Sequence, residues 1–134
     1  MMDAATELVE CYARLELAYQ PFSEDGKKWK GDAAGLDEIV RRRALALQEG
    51  AVLLARIREI WSRWESQEPG AEERARVFAS RNRIVELGLT VARADVALQG
   101  KARRRTEELR QLAAEAGRKN KAARAYRQGK KRFA

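Results

Sequence analysis

The sequence offers carboxylates in adjacent pairs, one thiol and a concentrated run of cations, but not the residue that most often joins such groups into a catalytic device. Histidine is absent from the 134 residues. That removes the commonest general base near neutral pH and the commonest metal ligand. No glycine-rich phosphate loop, nucleophile elbow or paired-cysteine metal spacing occurs. The pairs Asp37-Glu38, Glu72-Glu73 and Glu107-Glu108 alternate with arginines on segments of helical period. Such a pattern favours i,i+4 pairing on solvated faces over acid–base chemistry. Cys11 is the only cysteine and lies in an apolar-periodic stretch; packing is its expected role. One thiol forms no internal disulfide, so a reducing cytoplasmic setting is expected. Neither an enzyme nor a metal or cofactor site is expected.

Binding chemistry is better represented. Residues 1–100 hold 15 Lys/Arg against 17 Asp/Glu, whereas residues 101–134 hold 13 against 3. The whole net charge of +8 therefore arises in the last quarter. Its basic patch comprises Lys119, Lys121, Arg124, Arg127, Lys130 and Lys131 around Tyr126. An aromatic among cations suits a protein hot spot, and it also suits stacking on nucleic acid. A solvated tail is the plain alternative. Arg41-Arg42-Arg43 has Asp37 and Glu38 close before it, so local pairing is expected there. Trp61 and Trp64, three apart, fit a core; Trp29 stands among Lys27, Lys28 and Lys30, where packing is less clearly indicated.

These groups need elements to hold them, and those elements are helical. Hydrophobic residues make up 45% of the chain and charged residues 36%, with two prolines and scattered β-branched residues. That composition is typical of helices and coiled coils. Leu8, Tyr12, Leu15, Tyr19 and Phe22 form a stripe at spacings of four and three, predicting a helix over about 3–22 with Asp3 as its cap. Pro21 kinks or restarts it, and residues 23–31 read equally as loop or frayed helix. Gly31-Asp32 marks a stop and a new cap. A second helix is predicted over 33–66, with Val40, Leu47, Leu54 and Trp61 as a heptad seam widened by Leu36, Ile39, Leu53 and Ile60. Glu68-Pro69-Gly70 is the clearest break.

The third helix is predicted over 71–117. Val77, Ile84, Val91 and Leu98 repeat every seven residues, with Leu87 and Ala94 between them, and the pattern continues through Ala102, Leu109, Leu112 and Ala116. Gly117 is the expected hinge, and residues 118–134 form a basic extension, helical or disordered. The expected fold is an all-α, elongated antiparallel three-helix bundle or coiled coil with a long C-terminal helix. Its seam closes within one chain or between two. The C-terminal part of the long helix is expected to outrun its neighbours and to offer a groove for another chain's helix. No stretch approaches the ~18 apolar residues of a membrane span, and no basic region precedes an apolar run at the N-terminus, so neither membrane insertion nor a secretory leader is expected.

The Gly31-Asp32 turn, the following Leu36, the arginine-bearing second helix and the segment Lys119-Asn120-Lys121-Ala122-Ala123-Arg124-Ala125-Tyr126 together resemble the FlgN-type flagellar export chaperones. The related FliT-type cap chaperones share this architecture. The resemblance implies a cytoplasmic protein that covers the C-terminal amphipathic helix of hook-filament junction subunits, or of the filament-cap subunit, before type III secretion. It implies client binding along Val91, Leu98, Ala102, Leu109, Leu112 and Ala116, and docking on the export gate, a membrane protein, through Tyr126. The strong basicity departs from the usual acidity of secretion chaperones. A nucleic-acid-binding protein using residues 118–134, or a structural coiled-coil secretion component, are the alternative readings.

Overall fold

A computed structural model describes the backbone of residues 2–133 and the side chains of residues 2–129. Every described element is helical: α1 (Ala4–Tyr19), a 3₁₀ turn (Gln20–Ser23), α2 (Asp25–Lys28), α3 (Ala33–Ser66) and α4 (Ala71–Phe133). The contacts divide the chain into two compact units, Met1–Leu98 and Gln99–Ala134. The all-α bundle read from the sequence is thus the fold.

Capping chemistry sets the boundaries in the first unit. Asp3 precedes α1 in an extended conformation, and its carboxylate accepts from the Thr6 backbone N–H at 2.7 Å. Thr6 hydrogen-bonding holds the Asp3 carboxyl below its usual pKa. Pro21 does not end the apolar stripe; it tightens the chain into the 3₁₀ turn, which buries Phe22. Gly31 has φ 89°, a left-handed conformation that favours glycine. Asp32 then caps α3 by accepting from the Gly35 N–H at 3.2 Å. Residues 23–31, open in the sequence, become the end of the 3₁₀ turn and the single turn of α2. Trp29 closes this segment, buried, with its indole N–H donating to the Asp32 carbonyl at 2.9 Å.

The main core joins Leu8, Cys11, Tyr12 and Leu15 of α1 to Leu53, Ile57, Ile60 and Trp64 of α3 and to Val77 of α4. Cys11 is a packing residue there, and burial pushes its thiol pKa up, against the opposing pull of Arg56 and Arg14. Trp61 and Phe78 meet edge to face, ring centroids 5.7 Å apart.

The seam of α3 is shifted by one residue from the predicted heptad series onto the widening set Leu36, Ile39, Leu53 and Ile60. Its inward positions are 36, 39, 43, 46, 50, 53, 57, 60 and 64, all buried or half-buried, at alternating spacings of three and four. Val40, Leu47 and Leu54 are instead 61%, 56% and 41% exposed. Arg43 and Gly50 occupy two of the inward positions, and neither reads as a core residue. Gly50 is there because a Cβ would collide with the hydroxyl and ring of Tyr19. Gly50→Ala is therefore expected to destabilise the chain by about 1 kcal/mol through overpacking. In a Tyr19→Ala background the same change should stabilise by ~0.5–1 kcal/mol, because alanine is the better helix former. Urea denaturation of the four proteins reads this reversal of sign.

The α4 seam behaves as read. Val77, Leu87 and Leu98 are buried, and Ile84, Val91 and Ala94 are half-buried. Helical structure does not stop at Gly117: α4 includes residues 118–133. A glycine inside a helix costs only ~0.5–1 kcal/mol relative to alanine. The boundary between compact units falls at Leu98 and Gln99 rather than at 117.

Candidate functional site

Three surfaces merit comparison. In the second unit, spacings of three and four place Ala102, Arg105, Leu109, Leu112, Ala116, Lys119, Ala123 and Tyr126 on one face of α4. Leu109 is 50% exposed, Leu112 56% and Tyr126 67%. Ala102 is half-buried and Ala116 exposed. Lys119, Lys121, Arg124 and Arg127 are exposed along the same helical segment. Lys130 and Lys131 lie outside the residues whose side chains are described. Glu108 is engaged by Arg105 at 3.3 Å, on the solvated surface. The arrangement is an apolar stripe with an aromatic, set in a field of positive charge, and it suits an amphipathic helix that carries acidic flanks.

Two residues assigned by resemblance to that stripe are used differently. Leu98 is only 9% exposed and Val91 is half-buried. Leu98 lies against α2, where a Cβ on Gly26 would sit 3.4 Å from the Leu98 Cβ. The apolar surface of Leu98, and part of that of Val91, is buried in the first unit, which leaves Leu109, Leu112 and Ala116 as the most accessible part of the set.

The second surface is a shallow cleft of about 520 Å³ in the first unit, lined by Tyr12, Ile57, Arg58, Trp61, Glu65, Phe78 and Arg81, among others. The Arg81 guanidinium lies 5.6 Å from the Trp61 ring centroid, which favours both the cation and the ring face. Burial raises the Tyr12 pKa, with Arg81 opposing. Such walls accept an apolar or aromatic side chain. No cluster of three or more potential metal ligands occurs among the described residues.

The third is a buried ionic cluster that sequence reasoning missed. Asp25, 2% exposed, accepts from Arg42 at 3.0 Å and from Arg43 at 2.9 Å. Arg43 also meets Asp95 at 2.8 Å and lies over the Phe22 ring at 4.7 Å. Burial lowers the Arg43 pKa, but hydrogen bonds to Asp25 and Asp95 more than offset it, so the guanidinium stays charged. Only Arg41 follows the local reading outright, bonded to Glu38 at 2.6 Å. Arg42 divides its charge, with Glu38 at 3.9 Å besides Asp25. The cluster is a structural clasp: Asp25 is engaged by both arginines, and Arg43 also donates to the Phe22 carbonyl at 3.2 Å.

Fold and surfaces together define an all-α bundle protein with an exposed amphipathic, basic helix face. No helix among the described residues is long and apolar enough to cross a membrane. No protein-family model, curated protein or solved structure matches the chain.

Proposed function

We propose that the chain is a cytoplasmic export chaperone of the FlgN type, which shields the C-terminal amphipathic helix of a hook-filament junction subunit and hands it to the flagellar type III export gate. The observation that carries this reading is the exposure of Leu109 and Leu112 at 50% and 56% on one helix face. Apolar side chains held in register on a charged helix suit a partner helix. Tyr126, on the same face and 67% exposed, is the residue proposed to meet the gate. The basic surroundings favour a client helix with acidic flanks.

Isothermal calorimetry against C-terminal fragments of hook-junction and filament-cap subunits tests this. Binding at 1:1 that changes little between low and moderate salt supports the chaperone reading and names the client. A duplex DNA titrant serves as the second arm. Affinity for DNA alone, falling steeply with salt as counterion release requires, would instead assign the basic segment to nucleic acid.

A further inference from the structure

One face of α3 is organised like a helix interface but has no partner among the described residues. Beside its inward seam, α3 carries a second series at spacings of three and four: Asp37, Val40, Ala44, Leu47, Ala51, Leu54 and Arg58. All seven are exposed. The five central residues are apolar, and Val40, Leu47 and Leu54 are each at least 41% exposed. The series spans about six helical turns, on the order of 30 Å. Ala44 and Ala51 are small enough for two helix backbones to approach closely.

The order of residues identifies the occupant. A suitable partner helix must offer a matching apolar stripe, with a base opposite Asp37 and an acid opposite Arg58. The chain's own α3, run in the opposite direction, meets these conditions. Rotation by two-fold symmetry about Leu47 sets Asp37 against Arg58 of a second copy, Val40 against Leu54, Ala44 against Ala51 and Leu47 against itself. Each charge contact is then made twice, as an isologous interface requires. Neither Asp37 nor Arg58 forms an ion pair within the chain among the described residues. We infer that the chain forms a two-fold dimer through antiparallel α3 helices, with Leu47 on the axis and Asp37 paired to Arg58 of the second copy. This does not depend on the chaperone reading, because it uses the first unit alone.

Analytical ultracentrifugation of the full chain, over a concentration series, tests it. The contact is at the small end of stable interfaces, so dimerisation on the order of micromolar is expected. Leu47→Glu sets a carboxylate against its own copy across the axis and should weaken the dimer ~100-fold or more, while helicity by circular dichroism stays unchanged. Asp37→Arg should weaken it by roughly tenfold through two like-charge contacts, and Asp37→Arg with Arg58→Asp should restore it. A chain that stays monomeric at several hundred micromolar would overturn the proposal. So would a dimer indifferent to Leu47→Glu, or one that the double charge reversal fails to restore.

Discussion

Trp64→Ala is expected to cost the chain about 3–5 kcal/mol, enough to unfold most of a marginally stable small bundle. Trp64 is fully buried where α1, α3 and α4 meet. Its ring lies 5.1 Å from that of Trp61 and 6.5 Å from that of Phe78, with Arg74 over it at 5.7 Å. Alanine would leave a void that three helices cannot close together. Trp64→Phe should cost far less than the alanine change. The Trp64 indole N–H is buried without an acceptor among the described residues, and phenylalanine removes that unmet donor along with part of the ring. Urea midpoints for the three proteins decide the matter; equal losses from both substitutions would show that volume is not what this position supplies.

The second large effect concerns the clasp at the other end of the bundle. Asp25→Ala should destabilise by about 3 kcal/mol, because it strips a largely buried guanidinium of one of its two carboxylates. Arg43 would keep Asp95 but lose the Asp25 contact, and Arg42 would lose its buried anchor. Removing the cation as well, as Asp25→Ala with Arg43→Leu, should cost clearly less than the sum of the two single changes, since neither buried charge is then left without the other. A double-mutant cycle by chemical denaturation reads the coupling. If the two losses simply added, the clasp would not be an interacting unit.

What the sequence made legible follows from how local each cause is. Asp3 and Asp32 cap their helices through contacts three residues away, and Gly31 needs positive φ regardless of its surroundings; such features can be read from neighbours along the chain. The α4 seam was legible because its residues are apolar at each repeat. The α3 seam was misplaced because it contains Arg43 and Gly50, whose fitness depends on Asp25, Asp95 and Tyr19, all distant in sequence. Apolar type alone favoured Val40, Leu47 and Leu54, and those turned out to be the exposed set. For the candidate site the same limit applied. Leu109, Leu112 and Tyr126 could be picked out as a face, but that α2 covers Leu98 depends on a segment whose conformation the sequence left open.

The most direct test of the binding account is the calorimetric titration of the preferred junction or cap fragment against a Leu109→Glu/Leu112→Glu variant. Both positions are about half exposed, so the variant should fold normally and keep its helicity. The account predicts that client affinity falls by ~100-fold or more, because two apolar anchors at the centre of a helix contact are replaced by charges that must be desolvated. Affinity unchanged within a factor of two would place client binding elsewhere and contradict the role given to this face of α4.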